Sequence, residues 1–115
     1  MKPHIHSKNS VRNHGGLAAD YQAIHDFIDS SKAAVPDVRH RAVLHSAFGI
    51  FIVEKVFGVT ITNSDGRVVS VRDIAEEHVI EDLGRIPTLQ DYLEHMELVP
   101  WMGGARVTKR FIPID

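Results

Sequence analysis

Eight histidines and no cysteine among 115 residues set the terms on which this chain can fold, because several of the histidines fall inside stretches that otherwise read as core-forming helix. His4, His6, His14, His25, His40, His45, His78 and His95 are spread from end to end, unlike a purification tag. A neutral imidazole is the commonest metal ligand and the one ordinary side chain that changes charge near neutral pH. Metal binding or acid–base work is therefore the chemistry to look for. The lack of cysteine excludes thiol catalysis, disulfides and thiolate metal sites, so ligands for any ion must come from His, Asp and Glu.

At 43% hydrophobic residues, the length suits a single domain, 1–115, with its own core. The formal charge of −2, from 13 basic and 15 acidic residues, provides no global attraction to nucleic acid or to anionic lipid. No run reaches the roughly 18 apolar residues of a membrane span, and the start Met1-Lys2-Pro3-His4-Ile5-His6 lacks the apolar stretch of a secretory signal. The expectation is a cytoplasmic protein with no membrane partner.

Along the chain, residues 1–16 have no apolar period and close on Gly15-Gly16, which predicts an extended arm. Tyr21, Ile24, Phe27 and Ile28 predict a first helix over 20–31 with Asp20 as its N-cap. From Asp37 to Phe57 no proline interrupts the recurrence of Leu44, Ala47, Ile50 and Phe51, which predicts one long helix over 38–57, stopped by Gly58. Val59 to Ser70 then reads as a β-hairpin around Asn63-Ser64-Asp65-Gly66. Ser70 with Asp73, and Thr88 with Asp91, are capping signals for helices over 71–83 and 89–96, and Gly84 ends the first of these. Residues 103–115 read as a tail or edge strand, with Arg106 to Ile112 available to pair with the hairpin. The expected fold is mainly α with a small hairpin, an α+β protein built as a compact four-helix arrangement with Leu44, Phe51, Ile74 and Trp101 in its core.

Helical spacing places His78 beside Ile74 and one turn before Glu81 and Asp82, a separation at which one helix can offer two ligands to a divalent ion. His25 precedes Asp26 and Asp29 in the first helix. In the long helix, His40 and Glu54 extend the apolar stripe inward, although their ends are ~21 Å apart at ~1.5 Å per residue, and His45 faces another neighbour. Bundle metal sites are built by several helices that each turn a ligand inward. The expected metal set is His25, His40, His78 and Asp82 around a zinc-like or manganese-like ion, with Glu54 or Glu81 as general base on metal-bound water. Ser10, Arg12, Arg39 and Arg41, together with the amides freed by Gly15-Gly16, form a second constellation suited to a phosphate-bearing small molecule. The competing expectation is a non-enzymatic interaction or homo-oligomerisation module in which the histidines are structural.

His6-Ser7, Ser10-Val11-Arg12, Gly15-Gly16, Ile24-His25, Arg39-His40-Arg41-Ala42, Gly49-Ile50-Phe51, Asn63-Ser64-Asp65-Gly66-Arg67, His78-Val79 and Glu81-Asp82-Leu83-Gly84 carry a resemblance that runs from His6 to Met102. Over that span the chain resembles a family of small bacterial and phage proteins classed as a domain of unknown function, and the resemblance implies no activity. A narrower likeness is to HD-type metal-dependent phosphohydrolases, through the doublet His25-Asp26. It implies outer ligands at His6 or His14 and at Asp73 or Asp82, and it departs from that pattern because a polar segment, not a ligand-bearing helix, is expected before the doublet.

Overall fold

The computed structural model describes residues 1–104. Within them the order is α1 (Pro3–His14), α2 (Gln22–Ile28), α3 (Arg41–Leu44), α4 (Ala47–Phe57), β1 (Thr60–Thr62), β2 (Val68–Ser70), α5 (Val71–Leu83) and α6 (Leu89–Leu93), with short 3-10 turns at 18–20, 30–33, 38–40 and 100–102. This is a mainly helical α+β fold. The strands pair antiparallel with Thr60 opposite Ser70 and Thr62 opposite Val68. The predicted edge strand lies outside the described residues.

The segment expected as an extended arm is helix α1. Pro3 occupies its first turn, where a missing N–H costs nothing, and Gly15 ends it at φ +82°. Its sequence lacks an apolar period because its inward face is polar: the buried residues are His6, Ser7 and Ser10. Asp20 caps no α-helix. Its carboxylate accepts from the Leu17 amide and from the Ser64 amide and hydroxyl, so it ties the first turn to the hairpin.

The long helix expected over 38–57 is two helices. Ser46 turns out of the helix at φ −151° and its hydroxyl accepts from the Gly49 amide, so a fresh N-cap stands where the apolar stripe seemed continuous. Two residues, His45 and Ser46, absorb the break, and both are fully buried. The break also rotates α4 relative to the expected stripe. Leu44 stays inside, whereas Phe51 is 47% exposed and Ile50 and Val53 take the core positions. Trp101, expected to plug the core, is 86% exposed.

Gly49 makes this corner possible. A Cβ there would sit 2.1 Å from the Leu44 carbonyl oxygen, a clash with backbone that no rotamer can relieve. Gly49→Ala should therefore cost about 3 kcal/mol, the upper end of ordinary overpacking. Urea unfolding at equal protein concentration checks it; a cost under about 0.5 kcal/mol, as for a surface change, would mean the corner is not tight.

The core is Tyr21, Ile24, Ile28, Leu44, Ile50, Val53, Val69, Val71, Ile74, Ala75 and Val79, all buried, where α2, α4 and α5 meet over the inner face of the hairpin. As predicted, Ser70 and Thr88 cap α5 and α6, and Gly84 ends α5 in the left-handed region at φ +75°. Asn63 anchors the hairpin turn. Its side-chain oxygen accepts from the Asp65 and Arg67 amides, and its nitrogen donates to the His14 carbonyl and the Tyr21 hydroxyl.

Candidate metal centre

Beside this apolar core lies a polar one. His6, His25, His45 and His78 are each at most 1% exposed, with Asp29 and His40 buried next to them. Four elements supply the groups. α1 provides His6, α2 and its C-cap provide His25 and Asp29, the break after α3 provides His45, and α5 provides His78 and Asp82.

Asp29, His45, His78 and Asp82 converge on one point. His45 Nε2 lies 3.3 Å from Asp29 Oδ1 and 3.0 Å from Asp82 Oδ2, and His78 Nε2 lies 3.3 and 3.4 Å from the same two oxygens. Bonds of ~2.0–2.1 Å to a tetrahedral ion put neighbouring donor atoms ~3.3–3.4 Å apart. The cluster has the spacing of a ligand set. His78 reaches it because Asp82 is four residues on in the same helix, and His45 because the helical path ends at Leu44.

Around these atoms the imidazoles hold one another. His78 Nδ1 is 2.8 Å from His25 Nδ1, and His25 Nε2 is 2.8 Å from the Ser10 hydroxyl. When His78 directs a bare Nε2 toward an ion, its Nδ1–H donates to His25, whose Nε2–H then donates to Ser10. This is the outer support that metal-ligating histidines use. On the other side His45 packs edge-on to His40, with ring centroids 5.6 Å apart.

Electrostatics follow from burial and these contacts. Burial alone would raise the carboxyls of Asp29 and Asp82, but hydrogen bonds from His45 and His78, joined at Asp82 by the Met1 ammonium and by the nearby His6 ring, hold both far below the ordinary carboxylate range. Burial opposes charge on His6 and His45 as well, yet their carboxylate partners raise both. His25 behaves in the opposite way, pulled down to about 3 by burial and by the neighbouring imidazoles. It stays neutral in the folded chain while the unfolded chain binds a proton near 6.5. His25 thus contributes stability above pH 6.5 that is lost progressively as pH falls from 6.5 toward 3. Replacing His25 by Asn should flatten that part of the pH–stability curve relative to wild type in urea titrations; parallel curves would mean that His25 is free to ionise.

The sequence-based set is redistributed. His78 and Asp82 stand in the convergent group. His25 lies outside that group but forms, with His6 and His78, a second set of imidazole nitrogens close enough to share an ion, and His40 packs against the His45 ring. Asp29 and His45 take the two places instead. Asp26, second member of the doublet, is exposed and accepts from the Gln22 side chain. Glu54 does not meet His40; it lines an outer groove of about 390 Å³ with Phe51, Arg72, Glu76 and Ile86. Glu81 is engaged with His6 Nδ1 at 2.6 Å. A sequence signal for Asp29 was present, since His25 and Asp29 repeat the four-residue spacing of His78 and Asp82. None marked His45, which enters only because the helix breaks.

The phosphate constellation is dispersed into other bonds. Ser10 is held by His25, Arg39 forms a bidentate pair with Asp37, and Arg12 is exposed. The Gly16 amide, expected to face an anion, donates to Asp65 Oδ2 at 2.8 Å. Of the four, Arg41 alone has a buried nitrogen, Nε, with no hydrogen-bond partner.

Comparison with known protein families gives a match to a domain of unknown function, DUF6915, over residues 1–102. The chain belongs to the DUF6915 family. The match takes in every residue of the metal-ligand geometry, so the DUF6915 domain and the imidazole cluster coincide. No curated protein and no solved structure matches this DUF6915 chain, and nothing ties it to the HD phosphohydrolases. Among the described residues no helix is long and apolar enough to cross a membrane.

Proposed function

We propose that the protein binds one divalent metal ion through Asp29, His45, His78 and Asp82. The observation that carries this reading is the closed ring of four nitrogen–oxygen separations between 3.0 and 3.4 Å. Two neutral imidazoles with two carboxylates also balance the charge of a divalent ion, which removes the cost of burying two anions side by side. Mixed nitrogen and oxygen donors suit zinc, iron or manganese. An ion that expands its coordination to take a water beside the four side chains supplies Lewis acidity and an activated nucleophile, and the corresponding activity is hydrolytic, with a phosphate-bearing small molecule as the ligand class. Lys32, whose ammonium lies 3.9 Å from Asp29 Oδ2, and the Met1 ammonium, 3.0 Å from Asp82 Oδ1, are cations beside the site that such a ligand would use.

Elemental analysis of protein purified without a tag tests the proposal. One zinc, iron or manganese per chain is expected, along with a lower melting temperature after chelation. Metal-free protein that ignores added ions would end it.

A second reading, an interaction or self-association module, draws on the outer face of α4, where Phe48 and Phe51 are 52% and 47% exposed with rings 6.0 Å apart. Light scattering across a hundredfold concentration range separates a monomer from an oligomer.

A further inference from the structure

Helix α1 is attached to the rest of the molecule in an unusual way. Its fully covered residues are His6, Ser7 and Ser10, and it meets its neighbours through Ser7 to Gln22, Ser10 to His25, Asn9 to Glu81 and His14 to Glu77. Val11, half-buried, packs against the apolar core; the rest of the attachment is polar, and each such hydrogen bond contributes only about 1 kcal/mol net. What α1 does carry inward is an imidazole. His6 is fully buried and stacks on His78, with ring centroids 3.6 Å apart and planes 22° from parallel.

The two nitrogens of His6 have different surroundings. Nδ1 is 2.6 Å from Glu81 Oε1, and the same oxygen accepts from Asn9 at 3.1 Å. A carboxylate on Nδ1 fixes a proton there, so the neutral ring offers a bare Nε2, the arrangement that orients metal-bound histidines. Nε2 is buried, makes no hydrogen bond, and lies 3.2 Å from Asp82 Oδ1. Close to the oxygen but out of hydrogen-bond line is how two ligands of one ion are disposed. Asp82 presents its other oxygen, Oδ2, to His45 and His78.

We infer that His6 is an additional ligand of the ion, delivered by α1 on the Oδ1 side of Asp82, so that metal binding fastens α1 over the centre. This rests on the metal reading above and extends it. An ion drawn toward Oδ1 would take the place of the Met1 ammonium, which donates to that oxygen at 3.0 Å, and would use both Asp82 oxygens and a third imidazole. Glu81 is then a positioning residue: it touches His6, not the ion.

The test uses zinc or manganese alone, titrated by calorimetry into the full metal-free chain, with hydrogen exchange of amides 4–14 followed in parallel. His6→Ala is expected to retain one ion per chain with Kd raised tenfold or more, and to lose the metal-induced protection of α1 seen in wild type. Glu81→Gln, which keeps the helix and its size, should raise Kd by a smaller factor. Ser7→Ala removes an α1 contact with no route to the ion and should change Kd less than threefold. Equal affinity in His6→Ala and wild type, or α1 protection that ignores the ion, would overturn the inference while leaving the four-ligand site intact. A wild-type chain that takes up no ion overturns both.

Discussion

Substitution of His78 by Ala is expected to abolish stoichiometric metal binding and to make the melting temperature independent of added zinc or manganese. His78 is the residue on which the polar core turns: Nε2 faces Asp29 and Asp82, and Nδ1 faces His25. No neighbour replaces it, since His25 is held by Ser10 and the His6 ring is held by Glu81. A ligand that binds only the native state stabilises it by about 2.7 kcal/mol at a hundredfold excess over Kd, and the variant forfeits that increment. Differential scanning fluorimetry with and without metal is the measurement, and His95→Ala, an exposed histidine, is the control. A metal-dependent melting shift that survives in His78→Ala would place the ion elsewhere.

Ile74→Ala should produce the largest loss of stability that is independent of metal. Ile74 is fully buried at the centre of the apolar cluster, on the face of α5 that also carries Val71 and His78. Removing three carbons from a packed site costs about 2–5 kcal/mol through lost transfer energy and the cavity left behind. In a domain of this size each kcal/mol lowers the melting temperature by about 4–8 °C. Phe51→Ala provides the contrast. Because α4 is rotated at the Ser46 corner, Phe51 lies on the outer groove, and its loss should cost less than half as much as that of Ile74. Equal costs from chemical denaturation would show that Phe51 is covered in solution, which would favour self-association through α4.

The hairpin, the two capped helices after it and the glycine stop at Gly84 were legible because each is decided locally. A Ser or Thr hydroxyl three residues before an amide, a turn cluster between β-branched runs, and a glycine that tolerates positive φ act within a few residues of themselves. The same locality explains the failures. Helix α1 has no apolar period, since the surface it packs against is a layer of imidazoles and carboxylates contributed from residues 22 to 82. A period of three and four detects only an oily partner. Ser46 and Gly49 were visible as residues, but nothing nearby weighs a new N-cap against continuing an apolar stripe; the surrounding helices decide that.

For the candidate site, the sequence by itself determined the chemistry: with histidines, carboxylates and no cysteine, any ion held here takes nitrogen and oxygen donors. It also put His78 and Asp82 on one side of one helix, because a gap of four residues closes a single turn. Only the tertiary structure decided that Asp29 and His45, rather than His25 and His40, stand with His78 and Asp82, and that the His6 ring lies beside them. The physical reason is that a ligand set is a matter of distances of about 3 Å between atoms on four separate elements, and those distances are set by a helix break, a cap and the docking of a polar helix, each of which depends on contacts far away along the chain.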